Sequence, residues 1–538
     1  MAPNASLTCL HTAKLSPVRY GAPCLSLTSA RRLYIASSNV PEKRERVVIL
    51  GSGWAGYAFA RTLDPKKFER IVISPRSYFV FTPLLASTAV GTLEFRAVLE
   101  PIRRLRGGVR FHQGWADDVD FSRKTVSVEA NVFDDLASRT IVLPPSPPGK
   151  AVRPHGAPVK GEIFEVPYDK LVVAVGAYSQ TFGIEGVRQH AHFLRDIGDA
   201  RKIRSRVLSL FEQCTYPGGS SDGKVAEGTT KPLSDDDKRH LLHFAIVGGG
   251  PTGIEFAAEL HDLIHEDLAR IYPDLLKFVR ITVYDIAPKV LPMFDQTLAK
   301  YAMDTFARQG IQVKTEHHIQ RVRLADGDLG TEHGGLLIKI KEAGDKEIGA
   351  GMVVWSTGLM QNPFIETMVA KRFPVKDGVI GHLVKDGRTG GLVTDGYLRA
   401  RTSTDEGDNK AIYGPVDGVL EDVYVMGDCA VIEDNRTLPK TAQVASQQAT
   451  YLARRMNKTG DGVTTAMPPF RFRNWGAMAY LGSWKAIHQS SADELRGWMA
   501  WVLWRTAYLT KSMSLRNKIT VAFYWAMSWI FGRDISRF

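Results

Sequence analysis

Two glycine-rich turns of the same pattern constrain the fold of this chain more than any other feature. Each turn follows a short β-branched run, at residues 46–50 and 243–247, and each precedes a helical pattern. A second β-branched run, at residues 70–74 and 281–285, closes each unit as a β-α-β segment. The sequence therefore predicts an α/β fold with two Rossmann-like dinucleotide-binding domains. The glycines in G-x-G-x-x-G spacing are Gly51, Gly53 and Gly56 in the first turn and Gly248, Gly250 and Gly253 in the second.

This glycine spacing suits a dinucleotide for a physical reason. The first glycine permits the tight turn, the second lets the backbone approach a pyrophosphate, and the third lets the helix pack closely on the strand. The free N–H groups at the helix N-terminus then bind the anion. A small residue, Ala60 or Ala257, follows each last glycine by four positions and favours the same close packing. Two glycine-rich turns without a ligand are the alternative, and two complete strand–turn–helix contexts make that alternative the weaker one.

The acid that binds ribose hydroxyls differs between the two units. Asp285 ends the second strand of the second unit, after a helix about a dozen residues longer than the usual spacing. A carboxylate there accepts from a 2′-hydroxyl and repels a 2′-phosphate, which favours NADH over NADPH. The first unit has Ser74 at this position, followed by Pro75 and Arg76, so its adenosine contacts stay open.

Three further apolar strands end in small-residue turns. Residues 168–176 and 353–358 each end in a glycine, where the chain can cross close to a cofactor. Residues 423–428 end in Gly427 and Asp428, where a carboxylate can accept hydrogen bonds from polyol hydroxyls. Each strand alone is more often an ordinary buried strand. Their order, in which glycine turns and strands alternate before the final Gly-Asp, indicates an enzyme with two dinucleotides.

The chain begins with a basic segment that contains no acidic residue. Residues 1–40 are rich in Ser, Thr and Ala and contribute four of the net +12 charges through Lys14, Arg19, Arg31 and Arg32. This composition is typical of a mitochondrial transit peptide, which we predict for residues 1–40, and a disordered tail is the alternative. No apolar stop-transfer segment follows, which favours the matrix face of the inner membrane.

The cysteines exclude several kinds of chemistry. Only Cys214 and Cys429 remain after residues 1–40, far apart and in no C-x-x-C pair. We therefore expect neither a disulfide framework nor a zinc site, and no other metal. Without a thiol pair to relay electrons, a disulfide reductase is disfavoured, and a sulfide:quinone oxidoreductase likewise.

Together these motifs resemble those of the two-dinucleotide-domain flavoproteins related to the pyridine nucleotide-disulfide oxidoreductases. Within them the chain is similar to the type II (alternative, rotenone-insensitive) NADH:ubiquinone oxidoreductases of fungal mitochondria, from about residue 44 to the C-terminus. The resemblance implies non-covalent FAD, NADH as substrate, ubiquinone as acceptor, a homodimer and peripheral attachment to the inner membrane. The strings that carry it are residues 51–56, 74–85, 248–255, 355–359, 441–445 and 479–483.

The resemblance also implies roles for individual residues. Glu255 is a candidate catalytic carboxylate near the nicotinamide and the quinone path, and a structural role near the start of its helix is the alternative. Gln443 and Gln447, one helical turn apart, are candidates for the quinone pocket, and a solvated surface helix is the alternative. Ser446 stands where some relatives have histidine, so no proton donor is assigned there. The residues expected to bind cofactors are Gly51, Gly53, Trp54, Ala55, Gly56, Ser74, Pro75, Arg76, Thr82, Pro83, Leu84, Ala174, Gly176, Gly248, Gly250, Pro251, Thr252, Gly253, Asp285, Thr357, Gly358, Gly427, Asp428, Lys440, Thr441 and Ala442.

A helical run is predicted to open at residues 438–443, with Pro439 at its start. In the resembled family this helix points its N-terminus at the flavin, where a positive dipole end stabilises the anionic reduced ring. The implied reaction is hydride transfer from NADH to FAD, followed by two-electron reduction of ubiquinone without proton pumping.

Aromatic and basic residues mark the C-terminal segment. Five of the ten tryptophans lie after residue 497, interleaved with Lys and Arg. This pattern favours a helix that lies in the membrane interface, and a core-packing or dimer-forming helix is the alternative. No stretch reaches the roughly 18 uncharged apolar residues that a spanning helix requires. Residues at helical spacing form one apolar face: Ile519, Ala522, Phe523, Ala526, Met527 and Ile530.

The predicted organisation follows the order of these features. After the transit peptide, an FAD-binding domain comprises residues 44–240 and 361–465, and an NADH-binding domain at 241–360 is inserted into it. Residues 466–538 form a region for membrane association and dimerisation. The segments 144–158 and 216–237 lack helix or strand periodicity and are interpreted as loops.

Two other functional classes are weaker. An NADH-binding signalling protein that uses its positive charge for nucleic acid is disfavoured, because the chain has no long basic run and no nucleic-acid motif. A soluble flavin-dependent reductase of a protein carrier is disfavoured by the aromatic C-terminal segment, since a soluble enzyme gains nothing from exposing it.

Overall fold

The computed structural model describes residues 44–131, 161–216, 233–375, 379–404, 418–459, 467–490, 493–512 and 514–537. The predicted transit peptide and the loop at 144–158 lie outside these residues, as does most of the loop at 216–237.

The first glycine-rich unit lies at the centre of the largest sheet. Glu45–Leu50 pairs in parallel with Phe68–Ser74 on one side and with Lys170–Val173 on the other. Its last four residues are fully buried, as expected for a parallel strand covered on both faces. The twelve strands of this sheet are Glu45–Leu50, Phe68–Ser74, Arg110–Asp120, Thr125–Ala130, Ile163–Pro167, Lys170–Val173, Phe373–Pro374, Ile380–Leu383, Leu392–Thr394, Arg399–Thr404, Gly418–Val425 and Ala430–Ile432.

The second glycine-rich unit lies at the centre of a separate parallel sheet. His243–Val247 pairs with Arg280–Tyr284 and with Met352–Trp355, in the predicted β-α-β arrangement. The sheet is completed by Gln312–Lys314 at one edge and His192–Phe193 at the other. Two parallel sheets that each carry a glycine-rich turn confirm the predicted α/β class.

Smaller sheets complete the described β-structure. Three antiparallel strands after residue 475 belong to the C-terminal region and pack against the helix Pro251–Asp262. The strands of the smaller sheets are Ile319–Leu324, Leu336–Ile340 and Glu347–Ala350; Ala177–Ser179 and Leu359–Gln361; Ala477–Tyr480, Ala486–Gln489 and Glu494–Gly497; Tyr78–Val80 and Leu99–Pro101.

The helices follow the glycine-rich turns closely. The first begins at Trp54, directly after Gly53, and packs against Ala442–Thr459. The second, Pro251–Asp262, continues through a π-helical turn at Leu263–Leu268, which accounts for the long spacing to Asp285. The α-helices are Trp54–Thr62, Leu85–Ala89, Val187–His190, Ile197–Gln213, Asp235–Leu241, Pro251–Asp262, Ala269–Ile271, Gln296–Arg308, Asp328–Thr331, Pro363–Ala370, Ala442–Thr459, Trp498–Lys511 and Leu515–Phe531, with 3-10 turns at Thr82–Leu84, Phe95–Val98, Ile102–Arg104, Pro273–Phe278, Lys341–Ala343 and Gly427–Cys429.

Two sequence predictions about helix starts are wrong. The helix predicted from residue 438 begins at Ala442, because the backbone N–H of Thr441 turns back to the Pro439 carbonyl. Residues 235–237, interpreted as loop, open the helix Asp235–Leu241. Ser234 caps this helix: its hydroxyl accepts from the backbone of Asp237, whose carboxylate accepts in return from the backbone of Ser234.

The apolar face predicted between residues 519 and 530 is solvent-exposed. Ile519, Phe523 and Ile530 are 63%, 56% and 61% exposed, whereas Val521 and Trp525 on the opposite side are buried. The helix Leu515–Phe531 therefore packs on the protein through its other face, and the core-packing alternative does not apply to the predicted face. Within the described residues, no helix combines the length and apolar character needed to cross a bilayer.

Arg533 joins the segment after the last helix to the π-helical turn Leu263–Leu268 and to Thr92. Its Nη1 lies 2.7 Å from carboxylate oxygens of both Glu266 and Asp267, beside the π-helical turn. Its Nε donates to the Thr92 hydroxyl at 3.0 Å. The Arg533 and Asp267 side chains are 9% and 10% exposed, so their ion pair is largely shielded from water.

We expect Arg533→Ala to lower the free energy of unfolding by about 3 kcal/mol, because it leaves a buried carboxylate without its partner. Denaturant titration of the detergent-solubilised protein measures this change. Arg537→Ala is the matched control, since Arg537 is exposed, and should change stability by less than about 0.5 kcal/mol. Equal stability of the two variants would contradict the role of this ion pair.

Candidate active site

A cavity of about 1410 Å³ joins the two glycine-rich turns. Gly51 and Gly53 line it on one side, and Pro251 and Thr252 line it on the other. Its volume exceeds the roughly 300–1,000 Å³ of typical small-molecule sites. The cavity is therefore large enough for a dinucleotide together with a second ligand.

The first turn has the backbone geometry that a dinucleotide requires. Gly51 has a φ of +103°, in the region that favours glycine. A Cβ at Gly56 would lie 2.0 Å from the Gly51 carbonyl oxygen, so no larger residue fits between helix and strand. A Cβ at Gly53 would meet no atom within 4 Å. The backbone is thus open at the position where a pyrophosphate would approach.

The second turn repeats this geometry. Gly248 has a φ of +115°, and a Cβ at Gly253 would lie 2.0 Å from the Gly248 carbonyl oxygen. The space beside Gly250 is open. Neither helix that follows a turn has a side-chain cap, so their first N–H groups are free to bind an anion.

Asp285 lies over the second turn, at the end of the strand Arg280–Tyr284. One carboxylate oxygen accepts from the backbone N–H of Gly249, and the other accepts from Ala287 at 2.7 Å. The carboxylate therefore stands beside the turn that would hold a pyrophosphate, where the sequence analysis expects contact with ribose hydroxyls. It does not line the cavity itself.

The first unit has a hydroxyl pair where an acid usually stands. The Ser52 and Ser74 hydroxyl oxygens lie 2.8 Å apart, and Ser74 also accepts from the backbone of Arg76 at 3.2 Å. The Arg76 guanidinium forms an ion pair with Asp196 at 2.8 Å. The carboxylate near the end of the strand Phe68–Ser74 is therefore Asp196, which comes from another segment of the chain.

The Gly-Asp turn meets the helix Ala442–Thr459 inside the cavity. Gly427 donates its N–H to the side chain of Gln448, a buried residue, at 2.7 Å. Burial raises the pKa of the Asp428 carboxyl, and Arg195 and Lys440 oppose that rise. The Lys440 ammonium donates to the carbonyl of Ala430. The helix N-terminus therefore faces the cavity next to a buried carboxylate.

Gln443 and Gln447 hold the segment that leads into the C-terminal region. Gln443 donates to the carbonyl of Gly476 at 2.7 Å and accepts from the N–H of Trp475 at 3.2 Å. Gln447 makes the equivalent pair of hydrogen bonds with the backbone of Arg473, at 2.8 and 3.0 Å. Gln443 lines the cavity, whereas Gln447 does not.

Glu255 connects the cavity to the C-terminal region. Its Oε1 accepts from the backbone N–H of Tyr480 at 3.1 Å and from the indole N–H of Trp504 at 3.2 Å. Burial raises the pKa of Glu255 to about 8, against those two hydrogen bonds. The side chain therefore carries a proton that it can exchange near neutral pH, at the wall of the cavity.

Further carboxylates follow Glu255 along the same helix. Glu259 accepts from the hydroxyls of Ser87 and Thr92 at 2.5 and 3.1 Å. Asp262 accepts from the Tyr480 hydroxyl at 2.6 Å. These buried carboxylates attach the helix Pro251–Asp262 to the segment of Ser87 and Thr92 on one hand and to Tyr480 of the C-terminal region on the other.

The two cysteines in the described part of the chain are free and buried. Burial raises the pKa of Cys214 to about 12 and that of Cys429 to about 11. Neither thiol therefore ionises near neutral pH, and neither can act as a redox relay.

Most of the predicted site residues lie around the one cavity. Those that do not line it are Gly56, Leu84, Gly248, Gly250, Gly253, Asp285 and Gln447. Those that line it are Gly51, Gly53, Trp54, Ala55, Ser74, Pro75, Arg76, Thr82, Pro83, Ala174, Gly176, Pro251, Thr252, Glu255, Thr357, Gly358, Gly427, Asp428, Lys440, Thr441, Ala442 and Gln443.

Several residues at the cavity were missed by sequence reasoning. Trp475, Tyr508 and Lys511 reach it from the C-terminal region, and Arg195 reaches it from the segment after the strand His192–Phe193. None of them lies in a recognisable motif. The aromatic and basic composition of the C-terminal segment was a signal for the membrane, and it gave no indication that the same segment closes the cavity.

Comparison with known proteins identifies the family. The profile described as pyridine nucleotide-disulphide oxidoreductase matches residues 45–449, and the one described as NDH2 C-terminal domain matches residues 475–534. A Dictyostelium discoideum protein named probable NADH dehydrogenase is 35% identical over 92% of both chains. The external NADH-ubiquinone oxidoreductase 2 of Saccharomyces cerevisiae mitochondria is 31% identical over 92% of this chain and 82% of its own.

The chain belongs to the type II NADH:ubiquinone oxidoreductases, a branch of the pyridine nucleotide-disulphide oxidoreductases. The structure of NDH2 from Plasmodium falciparum in complex with NADH shares the fold, with a TM-score of 0.72 and 23% identity. It covers 92% of this chain and 100% of its own. The family suggested by the sequence motifs is thus confirmed.

Glu255→Gln should stabilise the folded protein increasingly as pH rises. The unfolded carboxyl ionises near its ordinary pKa of 4.5, whereas the folded one ionises near 8. Wild-type stability therefore falls between about pH 4.5 and pH 8, and the variant escapes this loss of a few kcal/mol. Denaturant titrations at pH 5 and pH 8.5 measure the difference. Glu185→Gln, at an exposed position, should show no such trend.

Proposed function

We propose that this protein is a non-proton-pumping NADH:ubiquinone oxidoreductase that uses FAD. The observation that carries the proposal is that residues of both glycine-rich turns and Glu255 line the same cavity. The two thiols of the described residues do not ionise near neutral pH. Electrons from one nucleotide therefore have a direct route to a second ligand in the same space. The named activity of the yeast relative, an NADH-ubiquinone oxidoreductase, supports the same assignment.

We assign FAD to the first turn and NADH to the second. The FAD-binding domain then comprises residues 44–240 and 361–465, and the NADH-binding domain residues 241–360. Open backbone at Gly53, together with the polar side chain of Asp428, fits a pyrophosphate and a polyol. Asp285 at the second turn favours a nicotinamide cofactor without a 2′-phosphate.

The protein supplies binding, orientation and proton control, while bound flavin supplies two-electron chemistry between hydride donor and quinone. The N-terminus of the helix Ala442–Thr459 lies at the cavity without an acidic residue in its first turn, so its positive end favours an anionic ring. Glu255 holds a proton at the cavity wall that a quinone needs on reduction. Thr357 and Gly358 line the space between the two turns.

Ubiquinone would enter from the C-terminal side of the cavity. Gln443, Trp475, Tyr508 and Lys511 line that side. The catalytic assignment of Gln443 and Gln447 rests on the resemblance. Their hydrogen bonds to residues 473–476 support a positioning role, because they hold Trp475 against the cavity.

We propose that the C-terminal helices bind the inner-membrane surface. Large apolar side chains that are more than half exposed cluster there, among them Trp498, Trp529 and Phe531. Lys and Arg side chains flank them, which suits contact with anionic lipid. A lipid-soluble acceptor would thus leave the bilayer beside the cavity.

The cellular site follows from the N-terminal segment and the relatives. We propose a mitochondrial location on the basis of the predicted transit peptide and the mitochondrial name of the yeast relative. We propose the matrix face because no apolar stop-transfer segment follows the predicted transit peptide, although the yeast relative is named external. A homodimer, implied by the resemblance, is tested by mass measurement in detergent.

The purified protein should be yellow and should oxidise NADH when a short-chain ubiquinone is added. We expect NADPH to be at least roughly tenfold less efficient in kcat/KM, because Asp285 repels a 2′-phosphate. Asp285→Asn should lower the ratio of kcat/KM for NADH to kcat/KM for NADPH. A colourless protein, or a reduced flavin that does not reoxidise with the quinone, would refute the proposed function.

Replacing Ile519 and Phe523 together by glutamate should weaken binding to vesicles of phosphatidylcholine and phosphatidylglycerol by roughly tenfold or more, since two exposed apolar side chains no longer enter the lipid. Co-sedimentation measures the bound fraction. Ile163→Glu with Ile286→Glu is the matched control, because both residues are exposed apolar side chains outside the C-terminal region. If the first pair leaves binding unchanged, these helices are not the anchor.

A further inference from the structure

The Nη1 of Arg195 is buried and has no hydrogen-bond partner among the described residues, while the residue as a whole is partly exposed. It follows the strand His192–Phe193 and precedes the helix Ile197–Gln213, and it lines the large cavity. A buried N–H without a partner is costly, so it usually marks a place where a ligand supplies the acceptor.

The charged groups around Arg195 define what that ligand is. Asp428 attracts the Arg195 guanidinium and Arg76 repels it electrostatically, so both charges lie near it. The Oδ2 atom of the nearby Asp199 accepts from the backbone N–H groups of Arg195 and Asp196 at 3.0 Å each, so Asp199 acts as a helix cap. Arg195 therefore shares the cavity wall with the Gly-Asp turn, where we assign the polyol, and with Arg76 at the end of the first unit.

In FAD the pyrophosphate links the polyol half to the adenosine half. The free N–H groups at Gly53 and the following helix can bind it, but they carry no full charge to neutralise a dianion. Other cations at this end of the cavity are already engaged: Arg76 pairs with Asp196, and Lys440 donates to a backbone carbonyl. The Nη1 of Arg195, by contrast, has no hydrogen-bond partner in the described part of the chain.

We propose that Arg195 is the charged anchor of the FAD pyrophosphate, placed opposite the glycine-rich turn. This inference rests on the proposed function, since it needs FAD in the first site. Burial lowers the pKa of Arg195, and a bound dianion would offset that penalty. Because the strand before it pairs with Met352–Trp355, the anchor also connects the flavin site to the sheet that carries the second glycine-rich turn.

The test compares Arg195→Met with wild type after removal of bound flavin. Titration with FAD, followed by flavin fluorescence, should show a Kd about 10- to 100-fold higher for the variant, as expected for a lost charge-assisted hydrogen bond. Riboflavin, which has no phosphate, should bind both proteins equally. Arg195→Lys should fall between them, because it keeps the charge and loses the planar fork.

Thermal unfolding of the flavin-free proteins separates this role from a structural one. Arg195→Met should unfold at the wild-type temperature without FAD, because no protein hydrogen bond to Nη1 is lost, and should gain less stability when FAD is added. Arg206→Met is the matched control. The Arg206 guanidinium donates to the carbonyls of His333, Gly334 and Gly351, so this variant should unfold earlier while its FAD affinity stays unchanged.

Three results would overturn the inference: an unchanged FAD Kd, an equal loss of riboflavin binding, or a weaker affinity for NADH in place of FAD. A wild-type protein that binds no FAD would refute the proposed function itself, which distinguishes the two failures.

Discussion

The fold depends on the close contact between each glycine-rich turn and the helix that follows it. At both turns, a Cβ on the last glycine would lie 2.0 Å from the carbonyl oxygen of the first. This contact fixes the helix N-terminus directly beyond a buried parallel strand, with its N–H groups uncapped. Since the geometry occurs twice, the two anion sites open toward the same cavity.

The helix Pro251–Asp262 connects the second glycine-rich turn to the C-terminal region. Its N-terminus directly follows the second glycine-rich turn, and its buried face presents Glu255, Glu259 and Asp262 to other parts of the chain. The carboxylates accept hydrogen bonds from the C-terminal region and from Ser87 and Thr92. The C-terminal segment, whose composition indicates a membrane helix, also forms part of the cavity wall through Trp475, Tyr508 and Lys511.

The electrostatics of the cavity suit a cofactor that changes charge. A helix N-terminus, Lys440 and Arg195 supply positive potential, and Asp428 and Glu255 are carboxyls whose pKa is raised by burial. Glu255 therefore holds a proton near neutral pH, and the positive groups favour a phosphate or an anionic ring at this cavity. Cys214 and Cys429, with raised pKa values, take no part.

The sequence by itself determined the two β-α-β units, the position of Asp285 after the second strand and the apolar face that begins at Ile519. These features depend on local periodicity and on backbone constraints at glycine, which short strings carry in full. The tertiary structure alone decided that Gln443 and Gln447 bind the backbone of residues 473–476, that Ala442 starts the helix, and that Arg195 reaches the cavity. Such contacts join segments far apart in the chain, and no local pattern records which partner a long polar side chain will meet.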